Sequence, residues 1–354
     1  MDKKSLIFLL ISILILFAML YFIGIDSVID ALQMANSGLL LFTVAIELFV
    51  FYLYALRWKI INNIADINAS IFKLFPMTLV GLAINNITPS GRGGGEPVRA
   101  YILSKEKNYP MEETFAAVVA DRALDTFPFV FLAVITIIGV SFYFNFDLWL
   151  IVVMIISVIV IVAILILIIY MSVNLDFGKR VENWIIGLVR RFYKKNSEEL
   201  ENKIHNVIRG FQSTMKNLIL NKKMLLYALP LSFVIWFFEI FRVYIVFLAF
   251  GANISPIIIG EVFIMASLVG MIPLLPGGLG AVDSIMIVFY AVAGISTSIS
   301  AAATVIERLI SFWMPTILGM VILPHYGSSA LDNISFGSNS KEIPEESKNE
   351  SDDK

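Results

Sequence analysis

Residues 148–173 read LWLIVVMIISVIVIVAILILIIYMSV, and this stretch decides the class of fold. It contains no charged residue and exceeds the 20 or so apolar residues that a helix needs to cross a hydrocarbon core of about 30 Å. The rest of the chain agrees, because 58% of its 354 residues are hydrophobic and only 15% are charged, whereas soluble domains are about a quarter charged. The apolar runs lack the period-two alternation of transmembrane strands. The sequence therefore predicts an all-α polytopic membrane protein.

Cysteine and histidine usage limits the possible chemistry. The chain has no Cys, which excludes disulfides, zinc ribbons and Cys nucleophiles. Its only two His residues, His205 and His325, lie outside the long apolar runs and cannot build a His-based metal site by themselves. We expect no cofactor, no metal site, no nucleic-acid partner and no enzymatic activity.

Six apolar segments are long enough to cross the membrane completely. Two further segments, Phe72–Ile87 and Pro256–Leu275, run into glycine- and proline-rich loops at Pro89–Gly95 and Pro276–Gly280. Short apolar helices that end in this way are typical of re-entrant elements. We predict about six full spans plus two re-entrant helical elements, or eight spans if each re-entrant element is counted as a pair of crossings. The six full spans are Ser5–Ile25, Gly38–Trp58, Thr114–Tyr143, Leu148–Val173, Met224–Phe250 and Ser300–Leu323.

The distribution of Lys and Arg orients the chain. These residues are concentrated in a connector, residues 174–223, which marks the cytoplasmic side, and none lies between Gly251 and Ile306. Counting spans from the connector places both termini in the cytoplasm. The protein itself is expected to lie in a cell membrane. Residues 1–324 then form a single transmembrane domain. Residues 325–354 are a Ser-, Glu-, Asp- and Lys-rich acidic tail that is predicted to be disordered.

The two halves of the chain resemble each other at a spacing of about 185–190 residues. Repeat one covers about residues 38–143 and repeat two about residues 224–324, and the predicted orientation of the flanking spans is opposite in the two. Inverted repeats with broken helices are typical of transporters, whose binding site lies where the broken helices meet. Four matches occur in the same order: Arg57 with Arg242, Leu79–Gly81 with Leu268–Gly270, Pro89–Gly91 with Pro276–Gly278, and Val119–Arg122 with Val305–Arg308.

Charged side chains at membrane depth cost at least about 2.5–3.5 kcal/mol each, so they are usually functional. Asp121 and Asp125 are four residues apart and share a helix face, and Glu239 can pair with Arg242 three residues later. The set indicates a polar cavity, and the alternative is an ion-pair network that holds the repeats together. The candidates are Glu47, Asp121, Arg122, Asp125, Glu239, Arg242, Glu261, Asp283, Glu307 and Arg308.

The glycine-rich loop Gly91–Gly95 is not a nucleotide-binding loop, because it lacks the Gly-Lys-Ser/Thr ending and does not follow a strand. Its backbone N–H groups, beside Arg92 and Arg99, could hold the phosphate of an anionic headgroup. A tight turn between two re-entrant helices explains the glycines equally well.

The basic connector carries two apolar stripes at helical spacing, with Lys and Arg on the other face. They predict amphipathic helices at the cytoplasmic interface, attracted to anionic lipids, although a linker that merely joins the repeats needs the same pattern. The stripes are Val181, Trp184, Ile185, Leu188 and Phe192, and then Leu200, Ile204, Val207, Ile208, Phe211 and Met215.

Three segments carry a family resemblance: NITPSGRGGGEPVRAY at Asn86–Tyr101, ADRALD at Ala120–Asp125 and PGGLG at Pro276–Gly280. With them the chain, over about residues 5–324, resembles the membrane domain of lysylphosphatidylglycerol synthase/flippase proteins and their bacterial and archaeal relatives. In those synthases the domain is linked to lipid translocation, while a separate cytoplasmic domain attaches the amino acid. Here the membrane domain is followed only by the acidic tail, so the resemblance implies a lipid translocase without synthase activity.

The sequence thus predicts a flippase-like protein that moves a phospholipid, with an anionic headgroup, or a lipid-linked precursor between leaflets. The alternatives are a non-transporting membrane partner of a separately encoded synthase or glycosyltransferase, and an enzyme that acts on a lipid headgroup. The headgroup is expected to bind at Arg92, Glu96, Arg99, Asp121, Arg122, Asp125, Arg242, Asp283, Glu307 and Arg308.

Overall fold

A computed structural model describes residues 33–88, 93–143, 148–192, 197–270, 278 and 280–331. Within these ranges the regular structure is helical. The predicted first span, the loop residue Arg92 and the predicted disordered tail beyond residue 331 lie outside the described residues.

The described part of the chain contains twelve α-helices. Five-residue π-helical turns occur at Met224–Ala228, before α8, and at Leu309–Trp313, between α11 and α12. The helices are α1 (Ser37–Ile64), α2 (Ile71–Ile87), α3 (Gly95–Lys107), α4 (Met111–Tyr143), α5 (Leu148–Val173), α6 (Leu175–Phe192), α7 (Ser197–Leu220), α8 (Leu229–Ala249), α9 (Pro256–Gly270), α10 (Ala281–Val292), α11 (Thr297–Arg308) and α12 (Met314–Leu331).

Five helical segments of the described chain are long and apolar enough to cross a membrane. They correspond to five of the six predicted spans, and the prediction of an all-helical, multi-span protein is confirmed. The shorter apolar helices α2, α9 and α10 contain the segments predicted to be re-entrant or their partners. The five segments are Ser37–Ile64, Met111–Gly139, Ile151–Ser172, Met224–Ala249 and Thr297–Tyr326.

Helices α2 and α3 form an antiparallel hairpin. Near its closed end the backbone N–H of Gly95 donates to Asn85 Oδ1 over 2.6 Å, and at its open end Lys73 pairs with Glu106. The backbones approach so closely that a Cβ on Gly95 would collide with the carbonyl of Gly81. Glycine is therefore required at this crossing because no side chain fits.

Helices α9 and α10 form a second antiparallel hairpin. The Tyr290 hydroxyl donates to the carbonyl of Ile259 over 3.3 Å at the open end. At the closed end a Cβ on Gly278 would lie 3.0 Å from the Cα of Gly270. Each predicted short element therefore has a short helical partner.

Helices α1 and α8 pack along each other, and α2 of the first hairpin packs against α1 while α9 of the second packs against α8. The last long helix of each half packs against the hairpin of the other half. Gly319 of α12 lies against the carbonyl of Leu79 in α2, and Gly139 of α4 lies against the carboxyl of Glu261 in α9. The two halves are therefore interlocked, and polar groups from both meet at the centre.

Helix α5 is the most lipid-like surface of the described part. Large apolar side chains such as Ile159 and Ile166 are exposed on it, as expected of a helix that faces acyl chains. The amphipathic connector consists of α6 and α7, tied to the end of α5 by a hydrogen bond of 2.7 Å from Gln212 Nε2 to the carbonyl of Met171. Trp184 of α6 remains exposed, as in a helix that lies at a membrane interface.

Candidate functional site

A cavity of about 500 Å³ lies between the two halves. Its polar wall is formed by charged side chains from α1, α3, α4, α8 and α11, and its apolar wall includes side chains of α5. Burying this many charges is costly unless each is paired. The charged side chains are paired within two clusters and one separate ion pair.

The first, here called the Arg57 cluster, consists of Arg57, Glu96, Arg99, Asp121, Arg122 and Asp125. At its centre Arg57 donates from Nε to Asp121 Oδ1 over 2.7 Å and from Nη1 to Asp125 Oδ1 over 2.8 Å. Asp121 also accepts a bond of 2.9 Å from Arg99 Nη2. Asp121 is thus clamped between two guanidinium groups, which favours its ionised form by two charge-assisted hydrogen bonds.

The Arg57 cluster extends to the N-terminus of α3 through Arg122. Its Nη2 donates to Glu96 Oε1 over 2.5 Å, and its Nη1 lies 3.7 Å from Asp125 Oδ2. Glu96 is in the first turn of α3, where a carboxylate is stabilised by the helix dipole. The Arg122 side chain is 41% exposed. Its guanidinium is therefore the most accessible cationic group of the cluster.

The second, here called the Arg242 cluster, consists of Arg242, Glu47, Glu239 and Glu307. Arg242 is fully buried and lies 2.8 Å from Glu47 Oε2, 2.8 Å from Glu239 Oε2 and 3.2 Å from Glu307 Oε1. One guanidinium therefore serves three carboxyl groups from three helices, which is possible because it presents five N–H donors in a planar fork.

A separate pair, Arg308 and Asp283, lies beside the Arg242 cluster, with Nε 2.9 Å from Oδ1. Asp283 is in the first turn of α10 and also accepts a bond of 2.8 Å from the backbone N–H of Gly280. Arg308 stacks on the ring of Phe312 at 4.5 Å. This pair joins the glycine-rich end of the second hairpin to α11.

The ion pairs of the two halves occur at corresponding places. Arg57 binds Asp121, 64 residues later, and Arg242 binds Glu307, 65 residues later. In each half the next residue of the chain, Arg122 or Arg308, binds a carboxylate in the first turn of the second hairpin helix.

Direct hydrogen bonds connect the two sides across α1 and α8. Tyr54 donates to Glu239 Oε1 over 3.2 Å, and Arg57 Nη1 donates to Ser232 Oγ over 3.0 Å. Trp236 Nε1 donates to the carbonyl of Asp125 over 3.2 Å. Each cluster is thus bonded to both α1 and α8, and Tyr54 lies between them, with the Arg57 guanidinium 5.4 Å from its ring centre.

The opposite wall of the cavity is apolar. Ile161, Ile164, Leu165 and Ile168 of α5 line it, and Ile164 is 53% exposed. Ile164 thus lines the cavity and is also on the outer, lipid-like face of α5. The apolar side of the cavity is therefore next to the bilayer. The space is amphipathic, with guanidinium and carboxylate groups on one side and aliphatic groups on the other.

Nine of the ten side chains predicted for the site lie in the described part, and Arg92 lies outside it. The structure brings Glu96, Arg99, Asp121, Arg122 and Asp125 together in one cluster. It places Arg242 and Glu307 in the other and pairs Arg308 with Asp283 beside it. The described nine all line the cavity except Asp283.

Four central residues were not in the predicted site. Arg57 lies at the centre of the first cluster, Glu47 and Glu239 contact Arg242 in the second, and Asn85 accepts from the backbone of Gly95 and donates to Glu96 Oε1 over 3.2 Å. The sequence had signalled three of them, because Arg57 matches Arg242 in the repeat, and Glu47 and Glu239 are charges at membrane depth. Asn85 gives no such signal, since Asn is common near helix ends.

The chain matches a known protein family over most of its length. A family model described as lysylphosphatidylglycerol synthase TM region matches residues 5–319. The chain belongs to this family. The resemblance noted in the sequence is thereby confirmed, and the protein is a membrane-embedded, multi-pass member of the family.

Two archaeal relatives match almost their whole length. A UPF0104 membrane protein of Methanothermobacter thermautotrophicus is 51% identical, over 94% of this chain and 99% of the relative. Another, from Methanocaldococcus jannaschii, is 32% identical over 90% of this chain and 94% of the relative. Neither name contains an enzymatic activity.

A more distant family match has a name that includes an activity. The glycosyltransferase AglD of Haloferax volcanii is 24% identical over 85% of this chain, but the match covers only 51% of AglD. The matched region is thus about half of that protein.

Proposed function

We propose that this protein moves a phospholipid, or a lipid-linked precursor, between the two leaflets of a cell membrane. The observation that carries the proposal is the amphipathic cavity, with its ion-pair layer on one side and the partly exposed α5 wall, including Ile164, on the other. Such a space accommodates a charged headgroup among the ion pairs while the tail stays in the bilayer. A metabolite without a tail would not need the apolar wall.

The corresponding ion pairs support an inverted repeat as the basis of movement. In this proposal both termini are cytoplasmic, the α2–α3 hairpin controls access from the cytoplasm, and the α9–α10 hairpin controls access from outside. The first hairpin is held to the central layer by Arg122–Glu96 and Arg99–Asp121, and the second by Arg308–Asp283. Breaking the contacts of one hairpin while keeping those of the other would open the cavity to one side, as alternating access requires.

We infer that an anionic headgroup binds first at Arg122. This guanidinium is the exposed edge of the Arg57 cluster; it is hydrogen-bonded to Glu96 and lies 3.7 Å from Asp125 Oδ2. A headgroup phosphate can replace that carboxylate with a bidentate contact to the same fork. The exchange would release Glu96 and with it the first turn of α3. No step of this scheme needs catalysis, and we propose that the protein is not an enzyme.

The test is a leaflet-accessibility assay in liposomes that contain the purified full-length protein and fluorescent anionic phospholipids, read with a membrane-impermeant quencher. The wild type is expected to expose inner-leaflet lipid to the quencher. Asp121→Asn is expected to abolish this movement, because Arg99 loses its ionised acceptor and Arg57 keeps only Asp125 as a carboxylate partner. Arg122→Gln, at a more exposed position, is expected to reduce it at least about tenfold through loss of the headgroup contact.

The matched control is Glu182→Gln, which removes the pairing of Glu182 with His205 in the amphipathic connector, outside the cavity. It should leave lipid movement at the wild-type rate. Full activity of both Asp121→Asn and Arg122→Gln would rule out the Arg57 cluster as the headgroup site. The absence of movement for wild type with anionic, zwitterionic and polyprenyl-phosphate lipids would reject translocation.

A second candidate function is that of a membrane partner for a lipid-modifying enzyme or glycosyltransferase, without transport. The observation that favours it is the match of this chain to about half of a glycosyltransferase, which shows that the domain occurs together with a second region. Co-purification of one such enzyme, in amounts equal to this protein and with no lipid movement in liposomes, would favour this alternative.

A further inference from the structure

Glu261 of α9 is an acidic side chain that belongs to neither cluster. It is 4% exposed, it does not line the cavity, and its Oε2 has no hydrogen-bond partner among the described residues. Every other acidic candidate that the sequence placed at membrane depth contacts a guanidinium group. The stretch of chain around Glu261 supplies no cation, because no Lys or Arg occurs between residues 251 and 306.

The carboxyl of Glu261 lies where α9 crosses α4. Its Oε1 occupies the space that a side chain at position 139 would need, and a Cβ on Gly139 would collide with it. On the same part of α4, Ile135 and Ile138 are 46% and 55% exposed. The carboxyl is therefore enclosed in a helix contact whose outer side faces acyl chains.

Helix α9 packs against α4, α5, α8 and α10, and the described ionisable groups of these helices do not neutralise Glu261. Arg242 is bonded within its own cluster, and Asp125, the nearest charged residue along α4, is about 21 Å from Gly139 along the helix axis. The hydroxyl of Tyr290 donates to a backbone carbonyl. The ionisable groups are Glu112, Glu113, Asp121, Arg122 and Asp125 on α4, Tyr170 on α5, Glu239, Arg242 and Tyr244 on α8, and Asp283 and Tyr290 on α10.

The burial of Glu261 determines which cation it can take. An ionised carboxylate without a partner is costly in such a place, whereas the neutral acid is not. One enclosed carboxylate does not provide the several oxygen ligands that a metal cation requires, so a proton is the cation that fits. We propose that Glu261 is a proton-binding site outside the cavity, occupied while α9 is packed against α4.

Proton binding converts the Glu261 carboxylate into a neutral carboxylic acid, and the proton comes from water at the end of the membrane where α9 begins. Glu261 is about 7.5 Å along the helix axis from Pro256, the first residue of α9. Loss of the proton places a negative charge in the contact with α4. Separation of the two helices then lets water reach the carboxylate.

The corresponding contact of the first hairpin has no ionisable group. There Gly319 of α12 lies against the carbonyl of Leu79 and the side chain of Ala83 in α2. Only the second hairpin is therefore linked to a proton. Because its packed state holds the proton and its separated state releases it, the packed population falls as the pH rises.

The proton site does not rest on the proposed function, but its coupling to lipid movement does. In that proposal the α9–α10 hairpin controls access to the cavity from one side, so a proton on Glu261 keeps that side closed. Proton binding and hairpin position are therefore measured separately from lipid movement.

Infrared spectra of the purified full-length protein in liposomes detect the C=O stretching band of protonated carboxyl groups. The difference spectrum of wild type minus Glu261→Gln is expected to contain this band at neutral pH and to lose it at alkaline pH. The control difference, wild type minus Asp121→Asn, should lack the band, because Asp121 is held by two guanidinium groups. Absence of the band from the Glu261 difference spectrum at neutral pH would overturn the site.

Two further variants keep the infrared test decisive if Glu261→Gln does not fold. Glu261→Asp retains a carboxyl on a shorter side chain and should shift the band. Gly139→Ala places a Cβ where Oε1 now lies and should shift it as well. An unchanged spectrum in both variants would contradict the proposed location of the proton.

Distances between two spin labels, measured by electron paramagnetic resonance, report the position of the second hairpin. The chain has no Cys, so introduced ones are labelled selectively. Ile138→Cys on α4 and Ile257→Cys on α9 replace side chains that are 55% and 62% exposed. A longer distance is expected to appear as the pH rises, with its ratio to the short distance changing by up to about tenfold per pH unit. With Glu261→Gln the short distance should persist at every pH.

A matched label pair on the first hairpin is the control. Phe72→Cys on α2 and Val321→Cys on α12 replace side chains that are 86% and 64% exposed. Their distance should not depend on pH, because the contact of these helices at Gly319 has no ionisable group. A second-hairpin distance that ignores pH, or an equal pH effect in both pairs, would overturn the link between the proton and the hairpin.

The outcomes separate this proposal from the proposed function. The infrared band and the pH-dependent distance, together with an absence of lipid movement in the wild type, would reject translocation but support the proton site. Lipid movement without the band would overturn the proton site and leave the proposed function in place.

Discussion

The Arg57 and Arg242 clusters occupy corresponding places in the two halves but differ in charge and in access. The first is electrically balanced, and one of its guanidinium groups, Arg122, is 41% exposed on its side chain. The second has surplus carboxyls and a central arginine that is fully buried. The comparison teaches that one backbone arrangement can carry a balanced, partly accessible group of ion pairs in one half and a buried, acidic group in the other.

The largest loss of stability is expected from replacing a central arginine, because both central arginines are buried. Arg242→Gln leaves three carboxyls without a cation, and loss of one partner from a buried ion-pair group costs about 3–5 kcal/mol. Arg57→Gln should cost less, about 1–3 kcal/mol, because Asp121 keeps Arg99 and Asp125 keeps Arg122. The free energy of unfolding, from SDS titration in mixed micelles, checks this order. Equal losses would mean that the charge excess has no energetic consequence.

The hairpins of the two halves provide a second comparison. Gly95→Ala should destabilise by about 1–3 kcal/mol, because the new Cβ meets the Gly81 backbone, which cannot move aside like a side chain. Gly278→Ala meets the side chain of Val282 and lies 3.0 Å from the Cα of Gly270, and the φ of 67° at Gly278 adds a strain of about 1–2 kcal/mol.

Gly187→Ala is the control, since nothing lies within 4 Å of its new Cβ. This helical position should gain up to about 1 kcal/mol from the lower entropy of the unfolded chain. Thermal unfolding in detergent ranks the three variants. A stable Gly95→Ala protein would contradict the close approach of α2 and α3.

The smallest effects are expected from the carboxyls that partner the two arginines. Asp121→Asn should cost about 1–3 kcal/mol, because two guanidinium groups lose an ionised acceptor. Glu307→Gln should change the stability by no more than about 1 kcal/mol, since it removes one of three carboxylates that share a single guanidinium, and Arg242 keeps Glu47 and Glu239. The same SDS titration measures both. A larger loss in Glu307→Gln than in Asp121→Asn would contradict an excess of acidic groups around Arg242.

The sequence by itself determined the class of fold, because a chain in a bilayer must satisfy its backbone hydrogen bonds within helices. Apolar length alone therefore located five of the predicted spans, as at Leu148–Val173. The motif spacing also pointed to Asp121, Arg122, Glu307 and Arg308, since charges are too costly at membrane depth to be placed without a role. The first predicted span and Arg92 remain predictions.

Only the tertiary structure decided which charges are partners. Glu239 and Arg242 share a helix, but the partners Glu47 and Glu307 come from α1 and α11, and no local pattern specifies a contact between residues so far apart in the chain. Asn85 likewise gains its role from the distance of 2.6 Å to the backbone of Gly95. Helical periodicity reports the face of a helix, whereas the balance of charge in a cavity depends on which faces meet.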